Sequence, residues 1–149
     1  PYGDIEKLDE NNPTLFRNDI NRHVSHIART RVTSNKSPWM QGIDTGSIHS
    51  IAMSHGEGKF VASEEVLKQL LENGQIATQY VNEMGIPTMD GLDNINGSSM
   101  AIEGIYSEDG KILGKMGHSE RYEKGLFKNI AGNKDQNIFE NGVRYFTHK

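Results

Sequence analysis

The 149-residue sequence predicts a mixed fold of the α/β or α+β class. Three observations point there. Short β-branched or alternating runs, separated by Gly, Asn and Pro, fill most of the chain. One capped amphipathic helix interrupts them near the middle, and a second helical segment closes the chain. No internal repeat or low-complexity tract suggests a solenoid or a disordered tail instead. The length suits one domain with a real core.

Residues 1–15 read as loop, with Gly3, Asn11-Asn12-Pro13 and Leu8 as one of few apolar anchors. Between Arg22 and Thr33, Val24, Ile27, Thr30, Val32 and Thr33 raise the β-branched content, so this segment is expected to be a strand. Ser37-Pro38-Trp39-Met40 reads as a turn or single helical turn that buries the only tryptophan. Residues 47–54 form a strand running into His55-Gly56-Glu57-Gly58, and Lys59-Phe60-Val61-Ala62 makes a second short strand. The clearest helix runs from Ser63 to Asn73. Ser63 is the N-cap, Glu64 and Glu65 favour the positive end, and Gly74 closes it. Its stripe is Val66, Leu67, Leu70 and Leu71. Gln75–Val81 alternates as a strand, and Asn82-Glu83-Met84-Gly85 turns it. Met100–Tyr106 and Lys111–Met116 flank Glu108-Asp109-Gly110 as a hairpin. A Gly- and Asn-rich region, Lys124–Asn137, leads to a helix from about Gln136, with Ile138, Phe139, Val143 and Phe146 facing inward.

Composition excludes several function classes. Hydrophobic residues are 34% of the chain, and the mean hydropathy is -0.65, so the domain is globular but thin in core material. Net charge is -4, with both signs interspersed. No basic block with interleaved aromatics suggests nucleic acid, and no apolar run approaches the ~18 residues of a membrane span. The chain has no cysteine, which excludes a disulfide scaffold and makes a cytoplasmic setting the expectation. It opens on Pro1-Tyr2-Gly3 without an initiator methionine and reads as a piece of something longer.

Chemistry concentrates in Gly114-Lys115-Met116-Gly117-His118-Ser119-Glu120-Arg121. In extended backbone, residues two apart share a face, so Glu120 can accept the Nδ1–H of His118 and leave Nε2 free for a proton. That is the base and orienter of a nucleophilic triad, without its nucleophile. The turn His55-Gly56-Glu57-Gly58 is a second candidate, because its glycines let backbone N–H groups approach a ligand. It is not a phosphate-binding loop, since Phe60 follows Lys59. His23 and His26 lack a third metal ligand and fall on opposite strand faces. Asp44-Thr45-Gly46-Ser47 matches the aspartic-protease tetrapeptide. A homodimer could pair two Asp44 carboxylates, though Met40-Gln41-Gly42-Ile43 lacks the apolar strand that should precede them.

Ser54-His55-Gly56-Glu57-Gly58-Lys59-Phe60, Asn96-Gly97-Ser98 and Gly117-His118-Ser119-Glu120-Arg121 occur in order and at compatible spacing. Together they resemble the C-terminal glutaminase domain of phosphoribosylformylglycinamidine synthases, a class I glutamine amidotransferase domain. Pro1-Tyr2-Gly3 and Asn35-Lys36-Ser37-Pro38-Trp39 are similar to the single-chain form of those enzymes. The resemblance spans essentially all of 1–149, which would be the C-terminal portion of such a domain.

The resemblance implies an α/β, flavodoxin-like three-layer fold with a mostly parallel sheet, incomplete here at its N-terminal side. It implies a Cys-His-Glu triad that hydrolyses glutamine, with His118 as general base and Glu120 as orienter. Proline usually stands where this chain has Ser119, a position expected only to shape the loop. Ser54, His55 and Gly56 would lie near the glutamine, and Glu57 either there or against the synthetase domains. The cysteine would lie upstream of Pro1, leaving this piece inactive by itself. Ammonia would pass to synthetase domains of the same longer chain. These use ATP and Mg2+ to convert formylglycinamide ribonucleotide to the amidine, and no cofactor would sit in this piece. The open alternatives are a non-catalytic docking module and the Asp44 protease.

Overall fold

The computed structural model describes residues 12–147. The opening Pro1-Tyr2-Gly3 and Leu8 lie outside the described residues. Seven strands and two helices follow in order. They are β1 (Thr14–Phe16), β2 (Val24–Val32), β3 (Ile48–His55), β4 (Lys59–Val61), α1 (Glu64–Glu72), β5 (Ile76–Tyr80), β6 (Ile102–Tyr106), β7 (Leu113–Lys115) and α2 (Ile138–Thr147). Short 3-10 turns occupy Pro38–Met40, Ser99–Ala101 and Ser119–Arg121.

Five strands form one sheet in the order β3-β2-β5-β6-β7, and β1 pairs with β4 apart from it. The longest pairing joins β2 to β3, with Val24 opposite His55 and Arg31 opposite Ile48. Strand β5 occupies the middle and is buried along its whole length. The alternation predicted for it is absent because both faces are covered. Ile76 packs with Phe60, Leu70 and Ile102 on one side, and Ala77 with Val32, Met40 and Tyr106 on the other. Among the described strands every pairing is antiparallel, whereas the resemblance implies a mostly parallel sheet for the domain as a whole. The β6–β7 connection illustrates the cause. The Glu108-Asp109-Gly110 turn is too short for the crossover that parallel neighbours need. A lone parallel bridge links His49 to Asn133.

Helix α1 follows its local signals. Ser63 Oγ accepts from Val66 N–H at 3.3 Å, satisfying one of the free amides at the helix start. At the other end Gly74 adopts φ +64. Leu70 is fully buried, a gain of about 2 kcal/mol, whereas Leu71 faces solvent. Strand β1 falls where loop was expected. Its side chains are exposed, so only pairing with β4 makes it a strand.

Helix α2 departs further from expectation. Ile138 is buried, but Phe139, Val143 and Phe146 are exposed, and Asn141 and Gly142 face inward instead. Docking on the 37–40 turn explains the rotation. A Cβ on Gly142 would run into the Trp39 ring, and Asn141 Nδ2 donates to the Trp39 carbonyl at 3.1 Å. Glycine lets the helix approach closely enough for that polar contact. Trp39 is consequently only half-buried; Met40 is the buried member of the turn. Trp39 Nε1 donates to the Lys111 carbonyl at 2.7 Å.

Candidate active site

Two chain segments meet at the end of the sheet. One is the end of β3 with the 55–58 turn, and the other is the run from β7 into the Ser119–Arg121 turn. They are joined where His118 N–H donates to the Ala52 carbonyl at 2.8 Å. A cavity of about 450 Å³ opens here, lined by His55, His118, Glu120, Trp39 and Phe139 among others.

His118 Nδ1 lies 2.6 Å from Glu120 Oε1. The spacing was expected to act through extended backbone. Instead His118 caps the Ser119–Arg121 turn with φ -88 and ψ 80, and the turn brings the carboxylate round to the ring. With Nδ1–H donated to Glu120, a neutral ring presents Nε2 as an acceptor. That Nε2 is buried and has no hydrogen-bond partner among the described residues. Burial raises the Glu120 pKa, but hydrogen bonds from its own N–H and from His118, with the His118 and Arg121 charges, outweigh this. The carboxyl is held below its ordinary value.

The His55 ring stacks on His118, centroids 4.9 Å apart, and its Nε2–H donates to the Met116 carbonyl. Ser54 and Gly56, the other predicted neighbours of glutamine, are placed differently. Ser54 Oγ lies 3.3 Å from His23 Nε2, since adjacent strand residues project to opposite faces. Gly56 lies in the turn, where its carbonyl accepts from Asn18 N–H at 3.1 Å. Glu57 is exposed and makes only a loose ion pair with Arg17, 3.9 Å away. The candidate protease motif lies in an exposed turn, with Ser47 N–H bonded to the Asp44 carbonyl at 3.1 Å. Asp44 is exposed in that turn and not carried on an apolar strand, so the protease alternative finds no support. The docking-module alternative finds no support either.

Sequence reading missed Asn18, which clamps the 55–58 turn. Its Nδ2 donates to the His55 and Arg22 carbonyls at 2.7 and 3.1 Å, and its Oδ1 accepts from Gly58 N–H at 3.0 Å. Glu103 and Lys115, buried beneath the His118 loop, were missed as well. A carboxylate in the apolar run Met100–Tyr106 was the available signal, because a buried charge must find a partner.

Comparisons with known proteins bear on the family and the fold. The profile of the CobB/CobQ-like glutamine amidotransferase domain matches residues 1–146. Phosphoribosylformylglycinamidine synthase subunit PurQ of Synechocystis is 36% identical over 118 residues, covering 79% of this chain and 52% of its own. PurQ of Salinibacter ruber is 34% identical over 127 residues, covering 85% and 52%. PurQ of Thermomicrobium roseum is 36% identical over 107 residues, covering 72% and 44%. The chain thus spans about half the length of the curated relatives it matches. The structure of PurLQS from Thermotoga maritima superposes with a TM-score of 0.66 at 22% identity, over 91% of this chain and 53% of that one. The fold shared with it is the α/β fold of class I glutamine amidotransferases. No described helix is long and apolar enough to cross a membrane. By its sequence profile over nearly the whole length, and by its fold, this chain belongs to the CobB/CobQ-like glutamine amidotransferase family.

Proposed function

We propose that this chain forms part of the glutaminase of a phosphoribosylformylglycinamidine synthase, with His118 as general base and Glu120 as its orienter. The observation that carries the reading is the His118 ring. Its Nδ1 is tied to Glu120 at 2.6 Å, and its Nε2 is buried without a partner among the described residues. A buried polar atom without a partner costs about 1–3 kcal/mol, and a catalytic role is one reason to keep such an atom. This one also faces a cavity and has its other nitrogen tied to a carboxylate.

The chemistry follows from that nitrogen. A cysteine from outside these 149 residues gives its proton to Nε2 and attacks the side-chain amide of glutamine as thiolate. The imidazolium, stabilised by Glu120, then protonates the departing ammonia. Water hydrolyses the thioester, giving glutamate and restoring the thiol. His55 forms one wall of the site, and the glutamine lies against it. The ammonia passes to synthetase domains, where ATP and Mg2+ serve the conversion of formylglycinamide ribonucleotide to the amidine. No step through ATP or Mg2+ is assigned to this chain. A cytoplasmic setting accords with this pathway.

Without a nucleophile the base has no covalent step to assist, a loss on the order of a millionfold in one protease. The 149-residue chain is expected to hydrolyse no glutamine. The same chain preceded by the cysteine-bearing segment is expected to release ammonia, and to stop when that cysteine becomes serine. Turnover by the short chain alone would overturn the reading.

A further inference from the structure

We propose that Lys115 and Glu103 are positioning residues, a buried ion pair whose bonds are spent on holding the peptide units on either side of His118. The inference rests on His118 being the base. The two charges lie 3.3 Å apart, with side chains only 10% and 0% exposed. Taking such a pair out of water costs several kcal/mol per ion unless every donor and acceptor is matched.

Here they are matched, and most partners belong to one loop. The three ammonium hydrogens of Lys115 have three acceptors. These are Glu103, the Gly117 carbonyl at 3.0 Å and Ser119 Oγ at 3.2 Å. Glu103 Oε1 accepts the Gly117 N–H. Its Oε2 accepts from Thr78 Oγ1, which anchors the carboxylate to the central strand β5. Ser119 Oγ donates to Gln136 Oε1 at 2.7 Å, tying the loop to the segment before α2.

His118 is therefore held between two fixed neighbours. Gly117 is bonded through both its N–H and its carbonyl. A Cβ there would stand 2.7 Å from Ile51 and 2.8 Å from Glu103 and Lys115, so the backbone sits directly on the pair. Position 119 was expected only to shape the loop. The hydroxyl of Ser119 instead bridges Lys115 and Gln136, a connection that proline could not make. Glu120, by contrast, is 53% exposed and touches the ring only at Nδ1. The ion pair sets where the base stands, and Glu120 sets its tautomer.

The test compares Lys115→Met, Glu103→Gln and the double variant, in the enzyme that carries the nucleophile. Each single variant strands a buried partner and lowers the melting temperature. The double variant buries no charge and recovers it. If the pair positions His118, the double variant still loses kcat by on the order of a hundredfold, as displacements of about 1 Å do, while KM for glutamine stays within about twofold. A double variant with parental kcat would overturn the inference, because only a structural role would then remain. A second readout needs no turnover. In the ¹⁵N-histidine-labelled chain, the Nδ1–H proton signal of His118 should broaden by solvent exchange in the double variant. An unchanged signal would likewise overturn it. A parent enzyme that released no ammonia would instead refute the glutaminase reading, and the proton signal would still decide the positioning role.

Discussion

The imidazole of His55 lies against that of His118, 4.9 Å between centres and 9° from parallel. The same loop that carries His118 fixes the His55 ring, through the hydrogen bond to the Met116 carbonyl. Burial is the main cause of a lowered His55 pKa. The positive charges of His118 and His23 reinforce it, against opposing effects of the Met116 carbonyl and Glu103. His55 is thus an uncharged wall of the cavity beside His118. Replacing it by alanine should lower glutamine hydrolysis by on the order of tenfold. His55→Phe, which keeps a flat ring without the hydrogen bond, should recover part of that loss in the same ammonia-release assay. Parental rates for His55→Ala would remove His55 from the site.

Asn18 is buried, and its side chain spans three backbone groups of the 18–58 region. Asn18→Ala leaves the Gly58 N–H and the His55 carbonyl unsatisfied, and should destabilise the chain by about 3 kcal/mol. Urea denaturation checks this, and a loss below about 0.5 kcal/mol would show that water replaces the amide at no cost.

Gly142→Ala reverses a familiar sign. In an exposed helix interior this change stabilises by about 1 kcal/mol. Here the new methyl meets the Trp39 ring, so a loss of about 1–3 kcal/mol is expected. Pairing it with Trp39→Leu should recover part of the loss. A stabilised Gly142→Ala would mean that α2 does not dock through this face.

Acid should weaken the fold before the carboxylates titrate. His49 is held below its ordinary 6.5 mainly by burial, with the Lys115 charge adding and Asp135 opposing. His55 shifts the same way. The unfolded chain therefore binds more protons than the folded one between pH 6.5 and the lowered values. Stability is fully present above that window and is lost as pH falls through it. The thermal midpoint should be lower at about pH 5 than at about pH 7.5, and His49→Gln should narrow the difference. An equal midpoint at both pH values would contradict the burial of these rings.

What the sequence revealed, and what it hid, divides along the range of the interactions. The α1 caps, the β2 and β3 runs and the Glu108-Asp109-Gly110 hairpin are set by near neighbours, and each appears close to its expected place. The inward face of α2 was misread because it depends on Trp39, about a hundred residues away. Strand β1 was missed for a similar reason, since its only strand signal is its partner β4. In the site, His118 and Glu120 announced themselves by spacing. Ser54, His55 and Gly56 came from the resemblance, and only His55 reaches the cavity wall. Lys115, Glu103 and Asn18 carry no motif, because their roles arise from partners across the sheet.

The central claim is that His118 moves the proton in glutamine hydrolysis. Its most direct test is ammonia release by the cysteine-bearing enzyme, comparing the parent with His118→Ala and Glu120→Gln under saturating glutamine. His118→Ala should abolish turnover. Glu120→Gln should leave a residue of it, since the ring keeps its place but loses the carboxylate that orients it. Turnover surviving in His118→Ala would show that another group carries the proton.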